Sequence, residues 1–284
     1  MPYWLFDVLA LGLPALLLLH GVRAPRRLWA AVGVLAAVAL VWTAPWDDYL
    51  VRSGVWSYDP DRVLARVGSV PAEEYAFVVL LVVLVAAWGA RTGRLPAVPR
   101  PAPTLHRHAR LSGTAGWLGV AALGMVVLLA GGQLRYLGLL LVWAAPPLAL
   151  QRAVAGDLLQ AGRLDRAVVA VPVVAWLCLA DRLALADGIW VISPATSTGV
   201  LLLGLPVEEA LFFLLTVVLV TDGLVLATDD RTLARVRALV RRALRHARTP
   251  AAPSRLRQKA RTSASTRRRR RRHRPTDRLS SSPR

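Results

Sequence analysis

Four glutamates stand in two adjacent pairs, Glu73–Glu74 and Glu208–Glu209, and a proline, Pro71 or Pro206, precedes each pair by two residues. Proline suits the first position of a helix, because its missing N–H would have no partner there. Each pair then falls in a first helical turn, where the helix dipole favours negative charge. One turn deeper lie Phe77 in the first copy and Phe212 with Phe213 in the second. A carboxyl group withdrawn from water stays protonated near neutrality. Such an acid can protonate an alkene, and ring faces beside it can stabilise the carbocation by cation–π attraction. Neighbouring helical residues point about 100° apart, so one Glu of each pair is expected to face the bundle interior while the other caps or pairs. The plainer alternatives are helix-start acids at a membrane surface and phenylalanines that only pack.

Asp47 and Asp181 precede two Gly-x-Trp segments and are expected to open loops, where they can orient the glutamates or accept a departing proton. Capping of the loop is the alternative. Trp56 and Trp190 serve as candidate substrate contacts, although tryptophans at such places are more often interfacial anchors. Tyr3 and Asp7 are expected at the level of the glutamates, and Asp222 far from that layer. Cys178 is the single cysteine, so no internal disulfide or metal pair is expected. His106 and His108, two apart on a predicted loop, are not read as metal ligands, and no cofactor is expected.

The elements that must position these residues are membrane helices. The chain of 284 residues is 55% hydrophobic, with a mean hydropathy of +0.47. Its apolar residues come in blocks of the roughly 20 needed to cross lipid. Spans are predicted at Tyr3–His20, Leu28–Pro45, Pro71–Ala90, Ala115–Gly131, Leu134–Leu150, Ala167–Ala186 and Leu205–Ala227. The expected fold is therefore all-α, a polytopic bundle of about seven helices. No cleavable leader is expected before the first span. Of the net charge of +19, most belongs to residues 229–284, which hold 20 Lys and Arg against 3 acids. Leu233, Val236, Leu239, Val240 and Leu244 predict an amphipathic helix over 229–248, with a disordered tail over 249–284. The Arg267–Arg272 run suits anionic lipid headgroups better than nucleic acid.

Arginines in the short loops set the orientation. Loops after the first, third and fifth predicted spans are rich in Arg and share one side with the basic tail. The N-terminus is thus expected outside and the C-terminus in the cytoplasm, in a multi-pass protein of the cell membrane. The chain also repeats itself. Asp47, Gly54, Trp56 and Pro60 match Asp181, Gly188, Trp190 and Pro194 at an offset of 134 residues. Pro71, Glu73 and Glu74 match Pro206, Glu208 and Glu209 at 135, and Tyr3 and Pro14 match Tyr136 and Pro147. The unit is three helices, spans 1–3 repeated as spans 5–7. Span 4 is a spacer that gives both copies one orientation, a parallel repeat. Three regions follow: 1–112 with the first repeat, 113–228 with the spacer and second repeat, and the basic 229–284.

The stretches WDDYLVRSGVWSYDP, VPAEEYAF and GLPVEEALFFLLT carry a pattern D-x6-G-x-W followed by P-x-E-E-x-x-F. It resembles the lycopene cyclase domain found in bacterial heterodimers, in fused archaeal chains and in the cyclase half of fungal bifunctional carotenoid enzymes. The resemblance covers roughly residues 1–228, in the fused tandem form. It implies an isomerase that closes the linear end groups of lycopene into β-ionone rings without redox change. Glu73, Glu74, Glu208 and Glu209 would be the acid and base candidates, with Asp47 and Asp181 in support. The second copy departs from the pattern, having Ala180 before its Asp where the first has Trp46. Flavin belongs to an unrelated cyclase class and is not expected. Lycopene, membrane lipid and other carotenoid-pathway enzymes are the partners implied. Alternatives are a cyclase for C50 carotenoids or ε-rings and, in another class, a proton-coupled transporter. Removal of residues 249–284 is expected to leave turnover nearly intact in detergent, and abolished turnover in that truncation would give the tail a catalytic role.

Overall fold

Lipid offers backbone groups no hydrogen bonds, so apolar Leu, Val and Ala runs satisfy them internally as helices. The computed structural model describes residues 1–95 and 106–248. Among them, six helices are long and apolar enough to cross a membrane: α2 Arg26–Arg52, α3 Ala72–Arg91, α4 within His106–Ala130, α5 within Gly132–Ala161, α6 Arg163–Asp187 and α7 Val207–Thr228. The first predicted span, α1, is a shorter apolar helix, Tyr3–Leu19. At 1.5 Å per residue it reaches about 26 Å, just under the hydrocarbon thickness of a bilayer. The chain is an all-α membrane protein, with six full-length helices and this shorter one where sequence predicts seven spans.

Several boundaries differ from expectation. The second helix continues past Pro45 to Arg52, so Asp47 lies within a helix rather than opening a loop. Asp181 likewise lies inside α6. The fifth helix runs through Pro146 and Pro147 to Ala161, with a kink at Ala155 (φ −151°, ψ 37°). The arginines expected in a loop there, Arg152, Arg163 and Arg166, are helix residues instead, and Gly162 alone separates α5 from α6. The fourth helix begins at His106, not Ala115, which places His106 and His108 in its first turn. A membrane helix tolerates proline when other groups satisfy the freed carbonyl.

The two repeat units pack alike. The first two helices lie against α3, and their counterparts α5 and α6 lie against α7. Across the units α2 meets α7, α3 meets α6, and α3 meets α7. The spacer α4 packs chiefly on α5, at close range because Gly138 has no side chain. A Cβ there would lie 2.5 Å from the backbone nitrogen of Leu128.

Paired devices hold the units together. Pro14 cannot donate to the carbonyl of Ala10, and Pro147 cannot donate to that of Trp143. The indole N–H of Trp176 donates to the first carbonyl at 2.7 Å, and that of Trp42 donates to the second at 3.3 Å. Each tryptophan reaches from one unit into the other. At the opposite end, strands β1 Trp56–Tyr58 and β4 Trp190–Ile192 pair antiparallel, Trp56 opposite Ile192 and Tyr58 opposite Trp190. This register relates the two copies by a local two-fold. Short hairpins follow each strand, β2 Arg66–Val67 with β3 Val70–Pro71, and β5 Leu201–Leu202 with β6 Leu205–Pro206.

The units differ at the far end. Asp222 of α7, 1% exposed, pairs with Arg152 at 3.1 Å and with Arg166. The matching positions in the first unit are Leu19, Val32 and Ala87. Residues Met1–Val236 form one compact unit. A second, Arg237–Arg284, is described as far as Arg248, where it continues helix α8, Asp230–Arg248. Leu239, Val240 and Leu244 are exposed on that helix. The predicted disordered tail and the Arg267–Arg272 run lie outside the described residues. Removing one member of a buried ion pair leaves an uncompensated charge, a loss of about 3–5 kcal/mol. Asp222→Ala is therefore expected to lower the unfolding temperature in detergent, and Arg235→Ala should do so as well, because its partner Asp157 near the α5 kink is fully buried.

Candidate functional site

The glutamate pairs sit in the first turns of α3 and α7, as the prolines predict. All four side chains are buried, at 4%, 7%, 0% and 3% exposure for Glu73, Glu74, Glu208 and Glu209. Within each pair the roles divide. Glu73 accepts the backbone N–H of Leu64 at 2.6 Å, and Glu208 accepts that of Thr198 at 2.6 Å. Leu64 and Thr198 are matching positions of the repeat, so both outer glutamates brace the loop that precedes their own helix. The other oxygen of each, Oε2, is buried without a partner among the described residues.

Glu74 and Glu209 turn inward. The hydroxyls of Tyr3 and Tyr58 both donate to Oε2 of Glu74, each at 2.8 Å. Tyr136, the repeat counterpart of Tyr3, donates to Oε1 of Glu209 at 2.6 Å. The second unit has Ile192 in place of Tyr58, so Glu209 receives one phenol where Glu74 receives two. Burial, and after it the Glu74 carboxylate, raises the Tyr58 phenol well above its ordinary value. Tyr58 therefore stays a hydrogen-bond donor throughout the physiological pH range.

Both inner glutamates open on one chamber between the units, with about 30 Å³ of free space. Its walls are aromatic: Tyr3, Tyr58, Phe77, Phe212 and Phe213, with Trp56 and Trp190. The two tryptophans are buried at 6% and 8% exposure, so they are chamber walls and not interfacial anchors. The strand pair β1–β4 carries them inward and roofs the chamber. Rings meet edge to face as well as stacked: Phe212 and Phe213 lie edge-on 5.1 Å apart between centroids, and Tyr3 and Tyr58 stack at 6.0 Å. Such a wall presents both ring faces and ring edges to a guest.

The aspartates differ. Asp181 lines the chamber and accepts the indole N–H of Trp190 at 2.9 Å. Asp47 is buried but lies outside the lining, and the equivalent bond from Trp56 is not made. In its place Trp46, which the second copy lacks, stacks on Trp143 at 4.7 Å and meets Trp56 edge-on at 5.5 Å. Asp7 is 3% exposed, with neither oxygen bonded among the described residues, and Leu140 stands at its repeat position. Asp222 is remote from the chamber lining, as expected. Of the predicted site residues, the structure brings Glu74, Glu209, Asp181, Phe77, Phe212, Phe213, Trp56 and Trp190 to one cavity. Glu73, Glu208 and Asp47 support it from outside. The residue pattern carries no signal for the phenol of Tyr58 or for the roles of Trp46 and Trp143, although the matched tyrosines of the repeat point to Tyr3 and Tyr136.

Loss of a phenol leaves a buried carboxylate short of a donor, a cost of about 1–3 kcal/mol. Tyr136→Phe is expected to lower the unfolding temperature more than Tyr58→Phe, because Tyr3 still donates to Glu74 in the latter. Equal shifts would show that the phenols share no such division.

A family model for lycopene cyclase matches residues 1–88 and 135–222, the two repeat units. The lycopene beta-cyclase of Halobacterium salinarum is 42% identical over 234 residues, which is 79% of this chain and 94% of that protein. The bifunctional lycopene cyclase/phytoene synthases of Leptosphaeria maculans and Arthroderma gypseum are 38% and 36% identical over 68% and 67% of this chain. The chain spans 35% of the length of those two fungal proteins. No solved structure matches it. Two copies of one family unit, folded around a shared carboxylate chamber, place this chain in the lycopene cyclase family.

Proposed function

We propose that this chain is a lycopene β-cyclase, an intramolecular lyase of the isomerase class that closes linear carotenoid ends into β-ionone rings without a redox cofactor. The observation that carries the reading is the chamber itself: one glutamate from each unit opens on a single aromatic cavity. The high identity to a beta-cyclase along nearly its whole length supports the β-ring form.

A carboxylic acid protonates the terminal double bond of the substrate. The cation draws in the next alkene, a ring carbon–carbon bond forms, and a carboxylate removes a ring proton to leave the new double bond. The proton returned equals the proton given, so no redox partner enters. Glu74 is assigned as the base, because two phenols donate to one of its oxygens and hold a carboxylate there. Glu209, with one phenol donor, is assigned as the acid. Between the two, the rings of Phe77, Phe212, Phe213, Trp56 and Trp190 offer their faces to the carbocation. Asp181 holds Trp190 in the wall and is the auxiliary carboxylate of the chamber. Tight aromatic walls must swing aside to admit an end group. Their edge-to-face packing leaves them free of hydrogen bonds that would resist, except at the tyrosines and Trp190.

The same reading places the protein in the cell membrane, N-terminus outside and C-terminus in the cytoplasm. Arg23, Arg26, Arg27, Arg91 and Arg94 flank one end of the helices, whereas Asp59, Asp61 and Asp187 mark the other. In a lycopene-accumulating host the chain is expected to convert red pigment to ring-containing product, identified by chromatography. Glu74→Gln and Glu209→Gln should each lower ring formation by at least ~10²-fold, the scale of a lost general acid or base. Glu73→Gln and Glu208→Gln keep a carbonyl oxygen for the backbone N–H and should lose less than about tenfold. Near-normal activity in all four variants would falsify the carboxylate assignment, and unchanged pigment with confirmed expression would favour a carrier.

A further inference from the structure

The chamber, about 30 Å³ as it stands, must open even for an end group, and a linear carotenoid is far longer. If the cyclase reading above is right, on which this inference rests, the remaining chain must lie along the helices. Three of the chamber's helices continue inward with apolar faces. On α3, Phe77, Leu81, Leu84 and Trp88 follow one face at helical spacing, and on α6, Asp181, Leu177 and Val173 do the same. On α1 the face is Tyr3, Ala10, Pro14 and Leu17. Roughly 10–15 Å beyond the chamber, these faces part around a groove of about 320 Å³, whose lining residues are all apolar. Pro14 and Leu17 form one wall, Leu84 and Trp88 another, Val173 and Trp176 the third.

The local two-fold would predict a twin groove among α5, α7 and α2, but that side is packed shut. Gly223 stands where the first unit has Trp88, and a Cβ there would meet Leu35 at 2.8 Å. Gln151 replaces Leu18, and its amide donates to the carbonyl of Leu219 at 2.9 Å. Nearer the chamber the contrast repeats. Trp143 and Trp46 stack on one side, while their counterparts on the other are Ala10 and Ala180. The carbonyl of Ala10 accepts from Trp176, a wall of the open groove, which ties the alanine side to that groove.

The geometry points to a single polyene path: the reacting end lies in the chamber, and the rest of the hydrocarbon passes Ala10 and Ala180 between α1 and α6 into the groove. Leu81 and Leu177, buried between the two spaces, turn aside to let it through. The sealed side admits no second chain, so one end of the substrate reacts at a time.

The test compares lycopene with a short apo-lycopenal that keeps the end group but lacks the length to reach the groove. Leu84→Trp fills the groove from α3. Leu17→Trp fills it from a rim position already 66% exposed, where folding is not at stake. With each purified variant in detergent, kcat/KM for lycopene should fall at least about tenfold, while that for the short substrate stays within about twofold of wild type. Unchanged lycopene turnover in both variants overturns the path, and so does an equal loss on both substrates by a variant with wild-type unfolding temperature. A wild-type protein inactive on both substrates sinks the cyclase reading itself, a different result from either.

Discussion

Carboxyl groups at membrane depth govern this structure. Each one taken from water needs donors or a proton of its own, and hydrocarbon supplies neither. The chain answers with groups that bring their own apolar bulk. Phenols reach Glu74 and Glu209, and backbone N–H groups of the preceding loops reach Glu73 and Glu208. Those donors dictate much of the rest. Tyr3 and Tyr136 must start their helices level with the glutamates. The loops must fold back over the helix ends, and the strand pair that closes them must carry Tyr58 inward. Asp222 shows the other solution, two arginines around one acid, used where no cavity is needed.

The sequence made the frame legible because its signals are duplicated. A proline followed by two glutamates means a helix start once, and twice at one offset it means a shared architecture. Which glutamate of a pair faces inward was not legible. The 100° step between neighbours states only that they differ, and the rotation of the helix depends on partners distant in sequence. Tyr58 escaped notice for a related reason: its counterpart is Ile192, so the repeat comparison weakens its signal. The aspartates were misplaced because a Gly-x-Trp segment resembles a loop opening, whereas the helices run on for several residues beyond Asp47 and Asp181. Pro45 misled likewise, since a membrane helix can continue through proline.

The symmetry is one of backbone and not of contents. Helix packing, the tryptophan-to-carbonyl bonds and the strand register obey the two-fold. The interior departs from it at Trp46 and Ala180, Trp143 and Ala10, Tyr58 and Ile192, and Ala87 and Asp222. A symmetric frame keeps both glutamates at one depth, and the unequal filling makes their surroundings distinct. Two chemically identical side chains thereby acquire different tasks without any change in the skeleton that holds them.

The spacer helix α4 buries little of itself, contributes nothing to the chamber lining and leans on a single neighbour. Its value lies in orientation. Two three-helix units joined directly would stand upside down to one another, their glutamates at opposite ends of the bundle. One additional helix rights the second copy. The most dispensable-looking helix of the protein is thus what lets both glutamate pairs meet in a single cavity.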